Sequence, residues 1–408
     1  MLSPPRFLLL PLILFPLTLF SQGEESAANR SFNLGADQYG ICFGNSARHT
    51  GLRFNWSDQN LEEINGINVT FWKPVEPFTG TVNGISIGIA GPGAGNINGI
   101  ALGLGAVIGG ESLNGLSIGG LALVSAGEAT GVSIAGLGCV SQGGMTGVSF
   151  GSLGLVGKQG LTGINFGGLG AVSDGEIIGL NFGGLGLVGK GGITGINFGG
   201  LGAISDGEIT GLNMGGLGLV GKGGITGFNF GGLGTVSDGQ IEGINIGGLA
   251  LVGKEEVQGI NLSGLAMVSD GSVTGLSFSG LALVGNQAVT GVGVAGLAIV
   301  SGGDITGVSS TIGEIRSEGS ITGVSFAGYR TKATTVTGVH LSGITTQVDY
   351  SEGIIAGLYN CVYTQQTGIS IGVFNRATVY KGLQIGLLNY IENNPPWARY
   401  LPIVNAHF

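Results

Sequence analysis

The side chains best placed by type and spacing to do chemistry in this 408-residue chain are carboxylates and lysines at a fixed interval. Asp174, Asp206, Asp238 and Asp270 recur at one regular spacing, and Lys158, Lys190, Lys222 and Lys254 fall midway in the same series. Glu176 and Glu208 follow two of the aspartates, and an Asp-x-Glu pair could hold a hard cation such as calcium. Gly167-Gly168-Leu169-Gly170 even matches the opening of the calcium-binding nonapeptide Gly-Gly-x-Gly-x-Asp, but its ligand position is Val172, which offers no oxygen. Because Lys replaces Asp in every second unit, the Asp174 and Glu176 columns read as solvated turn residues. No metal or other cofactor is expected.

Other chemistries fail on spacing. Ser173, Ser205 and Ser237 have no histidine nearby to activate them. His49, His340 and His407 are far apart and share no metal-ligand spacing. Gly103-Leu104-Gly105 misses the last glycine of a dinucleotide-binding fingerprint, and Gly189-Lys190-Gly191 lacks the hydroxyl of a phosphate loop. Cys42, Cys139 and Cys361 are odd in number and widely separated, so they form no disulfide framework. The stretch from Thr146 to Val273 is too uniform to hold the acidic and basic cluster of a carbohydrate-cleaving β-helix. A threonine column (Thr146, Thr162, Thr194, Thr210, Thr226) has mostly Ile, Val or Leu as its companion, unlike the paired threonines of ice-binding surfaces; it reads as strand preference. No catalytic, cofactor-binding or metal residue emerges, and the chain is not expected to be an enzyme.

What carries these residues is a repeat. From Asn98 to the unit beginning at Thr322 the same pattern returns at every sixteenth position without an insertion, as in Thr194-Gly-Ile-Asn-Phe-Gly-Gly-Leu-Gly-Ala-Ile-Ser-Asp-Gly-Glu-Ile209. Numbering each unit from that Thr, position 2 is Gly throughout. Positions 3 and 5 are usually apolar around a polar position 4 (Ile164, Asn165, Phe166), which predicts a short strand with the Ile and Phe face buried. The Gly167-Gly168 pair predicts a corner with positive φ. Leu169, Ala171 and Val172 make a second short strand, and Ser173-Asp174-Gly175-Glu176 a turn. Two strands and two corners in each unit describe an all-β chain, a β-solenoid with 16-residue coils.

An up-and-down antiparallel barrel or meander competes, with Ile177 to Val188 as one long strand and the Lys and Asp turns at opposite rims. Two features favour the solenoid. Bulky residues change parity at Gly199-Gly200, with Ile196 and Phe198 before it and Leu201 and Ala203 after it. In addition, Asn165, Asn181, Asn197, Asn213, Asn229, Asn245 and Asn261 would stack as an amide ladder between parallel coils. On that reading Phe166, Phe182 and Phe198 touch, and the Asp and Lys turns alternate along one edge about 4.8 Å apart.

The flanks divide the chain. Residues 1–21 have one positive side chain, Arg6, then an apolar run from Phe7 to Phe20 that is too short to span a bilayer; they read as a secretory signal peptide. Residues 22–82 form degenerate repeats that cap one end, with Gly66 to Val69 as a trace of the pattern. Residues 83–336 are the array, and 337–408 are looser repeats and a second cap. Gly368-Ile-Ser-Ile-Gly-Val-Phe-Asn375, Gly382-Leu-Gln-Ile-Gly-Leu-Leu-Asn389 and the ending Leu401-Pro402 to Phe408 resemble the bacterial surface repeat-containing proteins of the leptospiral type. That resemblance implies an exported protein at the cell surface or outer membrane of a bacterium, with no established activity and no catalytic residue to transfer. Glycine at 88 residues, charged residues at 10% and a net charge of −9 exclude a nucleic-acid groove. The expected function is non-catalytic, structural or binding, toward an unknown surface partner, protein or glycan. The alternatives are an outer-membrane barrel acting as channel or anchor, and a carbohydrate-active β-helix.

Overall fold

The computed structural model describes residues 31–408, so the expected signal peptide lies outside the described residues. Strands account for nearly all of the ordered structure, with one short 3₁₀ turn at Pro396–Ala398. Each central unit supplies a long strand and a short one, for instance Gly192–Gly199 and Gly202–Ser205. Both pair in parallel with the strands one repeat away: Asn197 lies opposite Asn181 and Asn213, and Ala203 opposite Leu187 and Leu219. The protein is a β-solenoid of about 20 stacked coils of roughly 16 residues. Parallel pairing at this offset overturns the barrel and meander alternative, which requires each strand to run against the next.

The glycine at position 2 indexes the coils. It runs in one column from Gly40 and Gly51 through Gly66, Gly84 and Gly99, then once per unit to Gly323, and on through Gly338, Gly353, Gly368 and Gly382. The sheet therefore continues through the looser C-terminal repeats, where the coil is slightly shorter. Antiparallel pairing among the described residues occurs at the two ends: Ser31–Leu34 against Tyr39–Gly44, and Tyr400–His407 against Gly382 to Tyr390. Each end thus covers the last coil with a hairpin partner, which blunts an otherwise open edge.

Four local expectations are corrected. First, Ile164 and Phe166 face outward, 47% and 40% exposed, while Asn165 between them is fully buried. The long strand buries position 16 of the preceding unit (Leu161, Ile177, Ile193) together with the asparagine, so its inner face is the one the alternating pattern assigned to solvent. Second, parity does not switch at the corner. Asn197, Gly199, Ala203 and Ser205 all face inward, because Gly200, Leu201 and Gly202 take up the bend and return the chain to the same parity. Third, positive φ falls at position 2 (Gly195 at 116°, Gly211 at 112°) and at some position-15 glycines (Gly192 at 139°, Gly224 at 130°), and the Gly-Gly corner does not need it. A Cβ at Gly211 would run into the carbonyl oxygen of Gly195, and one at Gly200 into that of Gly184; the corner glycines are required by the close approach of stacked coils. Fourth, Ser173, Ser205 and Ser237 end the short strands and point inward, fully or almost fully buried, rather than standing in the turns.

The interior has a two-coil period inside the one-coil repeat. Position 10 alternates large and small (Leu187, Ala203, Leu219), while position 12 alternates Gly and Ser in the opposite sense (Gly189, Ser205, Gly221). A leucine is thus matched with a glycine in one coil and an alanine with a serine in the next, which keeps the filled volume nearly constant. The serine hydroxyl donates to the glycine carbonyl of the coil before it, Ser205 to Gly189 at 2.8 Å and Ser237 to Gly221 at 2.9 Å.

Candidate interaction surface

In cross-section the solenoid has a polar, hydrogen-bonded seam inside and apolar columns outside. The seam is the expected amide ladder. Asn181 Nδ2 donates to Asn197 Oδ1 at 2.8 Å, Asn197 to Asn213 at 2.7 Å, and the chain of bonds runs on to Asn261, which donates to Ser277 Oγ. A buried amide left unpaired costs free energy, so the ladder works only because translation by one coil brings the same group into register. Further along, Asn360, Asn375 and Asn389 form a second ladder at 2.8 and 2.7 Å. These are interior residues of the C-terminal units.

The turn between short and long strands carries the charge. Lys190 reaches Asp174 at 2.6 Å, Lys222 reaches Asp206 at 2.6 Å, and Lys254 reaches Asp238 at 2.7 Å, each lysine taking the aspartate of the preceding coil. The alternating charge ladder is therefore present. The hydrogen bond and the charge of Lys190 hold the Asp174 carboxyl below its usual value, and Asp174 raises Lys190 in turn. Both partners are about half exposed or more, so these pairs contribute little stability; each pair cancels locally, but the carboxylates beside them, such as Glu176, Glu208, Glu255 and Glu256, leave this edge acidic. Between residues 112 and 313 every Asp, Glu, Lys and Arg lies in this turn or, for Glu128, Glu176, Glu242 and Asp304, within the first two residues of the long strand that follows it.

The opposite edge is apolar. At one position per unit from Leu121 to Leu297 stands a leucine exposed by 44–59%. Beside it runs the position-5 column, where Phe150 and Phe166 stack at 5.0 Å, Phe166 and Phe182 lie 6.2 Å apart, and Phe182 and Phe198 stack at 5.0 Å. The expected contact of these rings holds, on the outer surface. Valines of position 11, such as Val172 and Val236, extend the apolar surface onto the short-strand face. A monomer rarely exposes a contiguous apolar patch beyond several hundred Å², and this one follows most of the array.

The other residues weighed for chemistry are dispersed. His49, His340 and His407 lie in separate coils: His49 Nε2 is 3.0 Å from the Gly40 carbonyl, His340 Nδ1 is 2.7 Å from Ser325 Oγ, and His407 Nδ1 is 2.7 Å from Asn394 Oδ1. Cys42, Cys139 and Cys361 are free and buried, and burial pushes the Cys139 thiol up to about 12, which suppresses the reactive thiolate. Among the described residues no group of three or more His, Cys, Asp or Glu could hold a metal ion.

One cluster was not anticipated. In the N-terminal coils Arg53 and Asp58 are buried and paired at 2.8 Å. Asp58 also accepts from Asn55 at 2.7 Å, Asn68 at 3.0 Å and Thr70 at 2.8 Å, while Arg53 donates to Asn45 and Asn68. These contacts are local and irregular, so no repeat signal marks them. The outward face of Ile164 and Phe166 was legible in principle, since a recurrent Asn column inside a strand needs amide partners that only the interior supplies. No family model, curated protein or solved structure matches the chain.

Proposed function

We propose that this chain is a non-catalytic structural or binding protein of the bacterial cell surface or outer membrane, exported by its N-terminal segment and acting through its repeated outer face. The observation that carries the reading is the unbroken apolar edge from Leu121 to Leu297, with its charges confined to the far side. Such an edge gains strength from repetition: each coil adds a similar small contact, and many contacts in a row give avidity without a specialised pocket. The Leu-Pro and Gly-Leu-Gln-Ile-Gly-Leu-Leu-Asn segments near the C-terminus support the surface location by their resemblance to bacterial surface repeats.

The test compares the full chain with a version lacking Thr194 to Ile225. That deletion keeps the Lys/Asp, Leu/Ala and Gly/Ser alternations in phase, and solenoid stability is close to a sum of neighbour terms. Retention of each purified protein on bacterial envelope fragments is measured. The shortened chain is expected to fold and to bind with a modest, proportionate loss. Complete loss with folding intact would show a localised site and overturn the reading, as would failure of the full chain to bind envelopes at all.

A further inference from the structure

We propose that a second copy of this chain covers the apolar edge, two rods packing side by side with the leucine ridge of each laid along the glycine corner of the other. The inference names the partner of the surface proposed above and rests on that surface being a binding surface.

The shape supports it. A shallow furrow follows the corner, floored by Gly247–Gly248 and Ser263–Gly264 and walled by Ile246 and Leu262. The leucine column stands just past this furrow, at Leu249, Leu265 and Leu281. Ridge and furrow run parallel over the coils from Ile246 to Val294, so a two-fold axis sets each ridge into the other's furrow and closes the contact at two copies. The spacing supports it too. Side chains recur at the strand separation of about 4.8 Å, and a surface with the same repeat fills every notch, as in the dry contact between identical stacked sheets. Area suffices: the strip from Leu121 to Leu297 is about 50 Å long at that spacing, and with the phenylalanine column beside it approaches the roughly 800 Å² per partner of a stable interface. No charge is buried, because the Asp and Lys turns lie on the far edge.

A lipid surface fits less well. Interfacial proteins place Trp and Tyr at the headgroup level and Lys or Arg near anionic lipid. Between residues 73 and 328 the chain has neither Trp nor Tyr, and Lys190, Lys222 and Lys254 are tied to aspartates on the edge away from the leucines.

The test uses the purified full chain and the triple variant Leu185→Lys, Leu201→Lys, Leu217→Lys, followed by sedimentation across a concentration series. The unmodified chain is expected to be dimeric, and the variant to dimerise roughly 100-fold more weakly or worse, as for charges forced into an interface core. An Asp174→Asn, Asp206→Asn control on the far edge should remain dimeric. Should the triple variant fail to fold, a nitroxide on Leu201→Cys is expected to become immobilised as concentration rises, and one on Asp206→Cys is not. A monomeric full chain at all concentrations overturns the proposal. So does an unchanged dimer in the folded triple variant, or a nitroxide at Leu201→Cys that stays mobile. A monomer that floats with phosphatidylcholine vesicles would assign the edge to lipid. Envelope retention plays no part in these readouts, so dimerisation without envelope binding would leave this inference standing and remove the function proposed above.

Discussion

In the central coils a buried polar side chain finds its partner at the same position of the next coil; in the N-terminal coils that stacking contact, as between Arg53 and Asn68, is joined by bonds to residues outside the column. Asn197 meets Asn181 and Asn213 through the same bond, whereas Asp58 gathers Arg53, Asn55, Asn68 and Thr70 from offsets that never recur. The difference follows from symmetry. Where the coil repeats without change, satisfying one amide satisfies all. Where the seam position carries a charge, at Arg53, the stacked Asn68 supplies a hydrogen bond but no counter-charge, and Asp58 must supply that from outside the column. The interior of the first coils is therefore held by specific ionic and hydrogen-bonded contacts, and that of the array by translation.

The comparison is broken most severely at Asp58. Asp58→Ala leaves the Arg53 guanidinium buried without its counter-charge, and removing one partner of such a pair costs about 3–5 kcal/mol. Urea melts should show that loss, while Asp174→Ala, which breaks an exposed pair, should shift the midpoint little. Equal effects at the two sites would mean that the Arg53–Asp58 pair is not enclosed as described.

Breaking the ladder should cost less. Asn213→Ala removes an acceptor from Asn197 and a donor from Asn229, leaving one buried amide group unpaired on each side, for a loss of about 2 kcal/mol. Asn213→Ser, which keeps a hydroxyl in the seam as Ser277 does beside Asn261, should recover part of it. If the alanine variant melts like the parent chain, the amides are being satisfied elsewhere.

How much of the fold is legible in the sequence depends on the same symmetry. The coil length, the amide ladder and the Lys/Asp alternation all repeat, and the sequence displays them. The expected facing of Ile164 and Phe166 fails because a two-residue period has two equivalent phases: hydrophobicity alone selects the wrong one, and the asparagine's need for partners selects the right one. The glycine at position 2 is visible as a column, but its cause, positive φ together with contact to the glycine of the coil before it, is a property of stacking. The Arg53–Asp58 cluster leaves no trace, because it joins residues at unrelated spacings.

The ladder's start offers a gain. Asn165 Oδ1 is buried and has no partner, because the preceding coil places Ser149 there. Ser149→Asn would extend the seam by one rung and supply the missing donor. The expected stabilisation is about 1 kcal/mol, the usual net value of an internal hydrogen bond. A destabilised variant would show that the coil holding Ser149 is too tight for an amide.

The smallest effect is one of pH, at the far end of the same seam. His340 occupies the column that Asn fills in the array, with Ser325 opposite and Ile355 beyond it. Its Nδ1 meets Ser325 Oγ and its buried Nε2 has no partner. Burial pushes the imidazole below its ordinary value of 6.5, although the nearby Thr337 backbone opposes the shift. A base whose folded pKa is depressed takes up its proton more readily when unfolded. Its contribution to stability is therefore intact above pH 6.5 and is lost as pH falls from 6.5 toward the lower folded value. Carboxylates with lowered values, Asp174 and Asp304, act in a separate window: they stabilise above about 3.8, and that contribution is lost below it. Melting temperatures between pH 8 and pH 3 should then fall in two stages. His340→Asn, which restores the residue usual in the seam, should remove the first stage and leave the second. Persistence of the decline between pH 6.5 and 5 in that variant would assign it to another group, and would mean that the seam tolerates a protonated imidazole.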